Sequence, residues 1–182
     1  MTIPMILTIT RIIAVPALVV VLLTPFNGSE ILGFALFVFA CLTDMLDGFW
    51  ARRKNLETVL GSLLDPLADK LLIASALICL VEKGVVASWM AIIIIGREIA
   101  VTGFRALASS KGCNIPASNW GKLKMTFETV TLAILILGPE HLTILFGIAQ
   151  TIGLWMIVII ALISALEYFI RFGPQVLKET SS

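Results

Sequence analysis

Apolar residues fall in long unbroken runs along this chain, and the runs set its architecture. Six can be drawn: Ile6–Leu23, Ile31–Trp50, Leu64–Val81, Val85–Leu107, Lys124–Leu137 and Leu142–Ile170. A helix of about 20 apolar residues crosses the roughly 30 Å of hydrocarbon in a bilayer, and most of the runs approach that length. The fifth is short, and the sixth is long enough to tilt or to extend beyond the bilayer. Turn chemistry separates the runs at Thr24-Pro-Phe-Asn-Gly28-Ser, Glu82-Lys-Gly84 and Gly138-Pro-Glu-His141. Backbone in lipid must satisfy its own hydrogen bonds, and the alternating pattern of barrel strands does not occur. The pattern therefore predicts an all-α integral membrane protein, a six-transmembrane-helix bundle. Met1 to Thr10, with Pro4 and few charges, reads as a short N-terminal interfacial segment ahead of the first span. No linker or repeat divides residues 1–182, so one membrane domain is expected.

Composition strengthens this picture. The chain is 59% hydrophobic and 14% charged, with a mean hydropathy of +1.04, whereas soluble domains carry about 25% charged residues. A net charge of +1 gives no global field for nucleic acid. The run Ile6–Leu23 has no basic flank and no small-residue cleavage site, and Pro16 interrupts it, so it reads as a retained helix and not as a cleaved signal. With both termini cytoplasmic, Lys83 is the one basic residue on the outer side. Arg11, Lys70 and Arg97 then lie near inner helix ends. This bias predicts a multi-pass protein of the cell (inner or plasma) membrane, its chemistry facing the cytoplasm. Cys41, Cys79 and Cys113 are far apart and read as packing residues. His141 stands alone in a turn and has no second histidine to help it hold a metal.

Four aspartates break the apolar pattern. Asp44 and Asp47 are three apart, and Asp65 and Asp69 four apart, so on helices each pair shares one face. Two such faces turned together make a four-carboxylate cluster. An aspartate at mid-membrane costs about 2.5–3.5 kcal/mol on insertion scales, and divalent metal is the obvious compensation. Carboxylate oxygens suit Mg2+ or Mn2+, and a metal pair in carboxylates is phosphoryl-transfer equipment. Gly48 lets a diphosphate approach the backbone, Ala51 keeps the next turn small, and Arg52 offers a guanidinium to phosphate oxygens. Gly61 allows a close approach or a bend before the second pair, and Pro66 fits a first turn if the third helix begins near Leu63 or Leu64. The plainer alternatives are a polar network or ion path for the aspartates, simple packing for Gly48, and an inner-face anchor for Arg52. They leave the spacing of the whole constellation to coincidence.

The run Asp44-x2-Asp47-Gly48-x2-Ala51-Arg52-x8-Gly61-x3-Asp65-x3-Asp69 resembles the signature of the CDP-alcohol phosphotransferases, with every fixed position present. Ile3-Pro4 with Thr8 and Arg11, Gly96-Arg97-Glu98-Ile99, Arg105, and Asn119-Trp-Gly-Lys122-Leu-Lys124 resemble the phosphatidylglycerophosphate synthase branch. The resemblance implies a six-helix fold, a homodimer, and a polar cavity open to cytoplasm and bilayer. It implies two divalent cations, one on Asp44, Asp47 and Asp65 and the other on Asp44, Asp65 and Asp69, with Asp69 also the general base. Gly48, Ala51, Arg52 and Thr58 would contact the CDP moiety, with Thr8 helping to hold the nucleotide. The branch commonly begins Asn-x-Pro-Asn, where this chain has Thr2-Ile-Pro4-Met5.

The reaction the resemblance implies moves the phosphatidyl group of CDP-diacylglycerol to sn-glycerol 3-phosphate, within membrane lipid, and releases CMP. The phosphate of that acceptor needs cations apart from the nucleotide site. Arg97, Arg105, Lys122 and Lys124 are the candidates, each weighed against a role as an inner-face anchor. Glu128 and Glu167 are candidate partners for these cations. Other acceptors are inositol phosphate, serine or a phosphatidyl lipid. A divalent-cation transporter is the rival from another class, and it leaves Gly48, Ala51 and Arg52 unexplained.

Overall fold

The computed structural model describes the backbone of residues 3–54, 59–110 and 119–178, and the side chains of 10–43, 67–109, 124–168 and 170. Its helices are α1 (Ile3–Leu23), α2 (Ser29–Lys54), α3 (Val59–Glu82), α4 (Ser88–Ser110), α5 (Asn119–Leu137), α6 (Pro139–Ile148) and α7 (Leu154–Lys178). A π-helical turn, Ala149–Gly153, joins α6 to α7, so the two form one long interrupted helix. The described residues contain no strand. The six apolar runs thus correspond to six helical stretches.

The three predicted turns each reverse the chain at a glycine of positive φ: Gly28 (89°), Gly84 (71°) and Gly138 (79°). Side chains of L-residues disfavour this region. After Gly84, the Val85 and Val86 amides bond back to the Leu80 carbonyl at 2.9 and 3.2 Å. That turn delays α4 to Ser88, three residues past the predicted start. The three reversals meet at one end of the bundle. Glu30 at the start of α2 lies 3.9 Å from Lys83, and its carboxylate abuts Gly138.

Two expectations need correction. The backbone is helical without a break from Ile3 to Leu23, so Ile3 to Thr10 belong to α1 and form no element of their own. Pro4 falls in the first turn, where its missing N–H costs little. Pro16 lies inside this continuous helix, as expected of a retained one, and deprives the Ile12 carbonyl of its donor. The third helix begins at Val59, so Pro66 lies inside it and not in its first turn.

Packing is close where the helices cross. α1 packs on α2 and α3, α4 pairs chiefly with α7, and α5 runs centrally against α2, α3 and α7. Leu18, Phe37, Leu77, Ile94, Leu132 and Ile157 are among the fully enclosed side chains. A Cβ on Gly153 would come 2.8 Å from Thr131 Cγ2, so the π turn brings α5 unusually close. The outer surface is apolar: Ile13, Val20, Ile92, Ile99 and Ile144 are 62–79% exposed. Among the described residues, Pro139–Tyr168 is the one stretch long and apolar enough to cross a membrane, with shorter apolar pieces at Thr10–Leu23 and Ser29–Thr43. The remaining helices carry charged residues within their apolar lengths.

Candidate active site

The backbone is helical through Asp44 and Asp47 on α2 and through Asp65 and Asp69 on α3. The two helices are in contact, and the spacings three and four keep each pair on one face by helical register. Asp69 is half-buried. The side chains of Asp44, Asp47, Gly48, Ala51, Arg52, Gly61, Asp65 and Thr8 lie outside the described residues, although their backbone belongs to α1, α2 and α3. Thr58 lies outside them altogether. Among the described side chains there is no group of three or more metal-ligating residues. The chemistry of the donor set still fits a hard divalent cation, because carboxylates from two adjoining helices supply only oxygen ligands.

Next to Asp69 the structure assembles a charged cluster in the helix interior. Glu98 of α4 is its hub. Its Oε1 accepts from Arg97 Nη1 at 2.6 Å and from Lys124 Nζ of α5. Its Oε2 faces Lys70 Nζ of α3 at 3.7 Å. Lys124 also lies 2.9 Å from Glu128, one turn on along α5. Glu128 in turn is within electrostatic reach of Glu98 and of Asp69. Three cations from three helices thus converge on two glutamates, and the predicted base stands beside them.

Arg97 is set differently from its predicted place at a helix end. It sits in the middle of the 23-residue α4, and its side chain is 9% exposed. Its Nε and Nη2 donate to Ser164 Oγ of α7 at 3.1 and 2.8 Å. Lys124, predicted to open the fifth helix, lies inside α5, which begins at Asn119. At 2% exposure its side chain is an interior cation and not an anchor at the rim. Glu128 is its partner, as the sequence suggested. Arg105 is exposed on α4 and apart from this cluster, and the side chain of Lys122 lies outside the described residues.

Lys70 and Ser164 were missed as members of the cluster. Lys70 looked like topology, because a lysine beside an inner helix end is expected from charge bias alone. Ser164 carried a signal: it is a hydroxyl in the apolar run Leu162-Ile163-Ser164-Ala165-Leu166, and such residues join helices in lipid. Beside the cluster, a groove of about 380 Å3 between α3 and α4 is lined by Leu67, Leu71, Ile94 and Ile99, with Lys70 and Glu98 supplying charge.

The comparison with known proteins decides the family. The sequence profile of CDP-alcohol phosphatidyltransferase matches residues 1–166. The chain belongs to this family. Its catalogued relatives cover nearly all of it. A Bacillus subtilis (strain 168) protein named CDP-diacylglycerol–glycerol-3-phosphate 3-phosphatidyltransferase is 36% identical over 175 residues, 90% of this chain and 91% of the relative. A Rickettsia typhi protein of the same name is 38% identical over 169 residues, 91% of this chain and 94% of the relative. A Mycobacterium tuberculosis protein named probable phosphatidylglycerophosphate synthase is 35% identical over 175 residues, 91% of this chain and 79% of the relative. The family signature, Asp44 to Asp69, begins on α2 and ends on α3, at the residue before Lys70.

Proposed function

We propose that this chain is a phosphatidyltransferase that moves the phosphatidyl group of CDP-diacylglycerol to sn-glycerol 3-phosphate, giving phosphatidylglycerophosphate and CMP in phospholipid synthesis. The names of the relatives support glycerol 3-phosphate as the acceptor, and one observation of the structure favours an acceptor that carries a phosphate. Asp69 adjoins a buried cluster in which Lys70, Arg97 and Lys124 outnumber Glu98 and Glu128. A base for a hydroxyl beside cations for a phosphate matches a small phosphorylated alcohol better than serine.

The acceptor's primary hydroxyl attacks the phosphorus that bears the diacylglycerol. Its proton passes to the Asp69 carboxylate. The bond from that phosphorus to the bridging oxygen breaks, and the electron pair leaves with CMP. Arg97 and Lys124 hold the acceptor's own phosphate, with Arg105 and Lys122 as further contacts nearer the basic end. Gly48, Ala51, Arg52, Thr58 and Gly61 receive the CDP head, with Thr8 beside the nucleotide. Asp44, Asp47, Asp65 and Asp69 would hold two divalent cations, Mg2+ or Mn2+, which when bound offset the charge developing on the phosphoryl oxygens.

We further propose that residues 1–182 act as one six-span membrane domain, paired as a homodimer, with the reaction on the cytoplasmic side of the cell membrane. The apolar outer surface supports this reading, since soluble monomers rarely expose continuous apolar patches of more than a few hundred Å2. The charge asymmetry supports the orientation: Lys83 shares the turn end with Glu30, Glu82 and Glu140. The apolar groove between α3 and α4 suits an acyl chain whose head reaches the charged cluster.

A panel of radiolabelled acceptors tests the proposal with purified protein and CDP-diacylglycerol. Glycerol 3-phosphate should be the acceptor converted, with inositol phosphate, serine and a phosphatidyl lipid left unreacted. Conversion of one of those instead would overturn the assignment, and cation flux into proteoliposomes without CMP release would favour transport.

A further inference from the structure

We propose that Ser164 is a positioning residue for the acceptor site, acting through Arg97. Ser164 lies on the buried stripe Ile157, Ala161, Ser164 and Tyr168, the face that α7 turns to α4. Its hydroxyl donates to the Ala161 carbonyl at 3.0 Å. With the proton committed there, the lone pairs of Oγ are turned to Arg97, from which they accept both Nε and Nη2. Glu98 takes one N–H of Nη1 from the other side. A guanidinium carries five N–H groups. The three bonds to Ser164 and Glu98 fix its plane. Among the described residues they leave one N–H on Nη1 and one on Nη2, two donors on neighbouring nitrogens that a phosphate can take.

A neutral hydroxyl suits this task better than a second carboxylate. It orients the side edge of the guanidinium without adding a second negative charge beside Glu98. Arginine has many rotamers, and an unheld one would spend binding energy on being ordered. Ser164 removes that cost before the acceptor arrives. The role is therefore in binding the acceptor, and it touches neither the donor lipid nor the reacting phosphorus.

The inference rests on the reading that Arg97 binds the acceptor phosphate, and the test separates the two. Steady-state kinetics of the purified full-length protein are measured for Ser164→Ala, Ser164→Cys, Arg97→Lys and their combination, beside Arg97→Ala. Ser164→Ala should raise the KM for glycerol 3-phosphate about tenfold, the loss of a hydrogen bond to a charged group. The KM for CDP-diacylglycerol and the kcat should stay within about twofold. Ser164→Cys keeps the side-chain size with a weaker acceptor, so it should fall between the two and covers a folding failure of the alanine. In the Arg97→Lys background, which lacks the side edge, Ser164→Ala should add nothing. Equal rises in both KM values, a fall in thermal stability alone, or full additivity with Arg97→Lys would overturn the role of Ser164. An unchanged acceptor KM in Arg97→Ala would instead overturn the reading of Arg97 itself.

Discussion

Lys124 and Glu128 form an ion pair inside the bundle, Nζ to Oε2 at 2.9 Å, with side chains only 2% and 5% exposed. Removing one partner of a buried pair leaves an uncompensated charge and costs about 3–5 kcal/mol, whereas replacing both with apolar residues is often neutral. Lys124→Met leaves Glu128 buried without its ion-pair partner, while Glu98 keeps Arg97 and Lys70, so it should lower the thermal midpoint in detergent strongly and weaken acceptor binding. Adding Glu128→Leu should restore the midpoint while acceptor binding stays lost. A double variant with normal acceptor KM would remove Lys124 from the phosphate site.

Asp69 closes the signature and directly precedes Lys70 of this cluster. Asp69→Asn keeps the shape of the side chain and removes the proton acceptor. Transfer should fall by at least about 100-fold, within the range for general-base catalysis. Metal-dependent binding of CDP-diacylglycerol should partly survive, read by isothermal titration or by protection from proteolysis. Turnover near that of the parent would exclude Asp69 as the base.

Chelation probes the carboxylates as a set. Dialysis against EDTA should abolish transfer, and Mg2+ or Mn2+ should restore it, because oxygen donors select hard cations. Asp44→Ala and Asp65→Ala should each resist that restoration. Activity that survives exhaustive chelation would contradict the assignment of these four residues.

At the opposite end, Gly138 has φ 79° and ψ 171°, a region used almost only by glycine. A Cβ there would also lie 2.7 Å from a Glu30 carboxylate oxygen. Gly138→Ala should destabilise the protein by about 1–3 kcal/mol, visible in the thermal midpoint. The KM values should not move, because the turn is far from the charged cluster.

The helices were legible because apolar runs and glycine turns are local signals. Gly28, Gly84 and Gly138 marked three reversals correctly. Boundaries slipped where polar residues are helical: Asn119 to Leu123 open α5 although they are not an apolar run, and Val59 starts α3 ahead of its proline. The aspartate signature was legible for a different reason, since its spacing is fixed by helix geometry. The cation cluster was only half visible. Arg97 and Lys124 could be named from sequence, but the hub role of Glu98 and the clamp from Ser164 depend on how α4, α5 and α7 pack, and no local spacing encodes that.

The most direct measurement is the coupling of the two products in a purified, reconstituted protein. With CDP-diacylglycerol and Mg2+ present, addition of sn-glycerol 3-phosphate should release CMP and form phosphatidylglycerophosphate in equal amounts, and glycerol without its phosphate should release almost none. CMP release that ignores the acceptor, or that proceeds equally with unphosphorylated glycerol, would contradict the account.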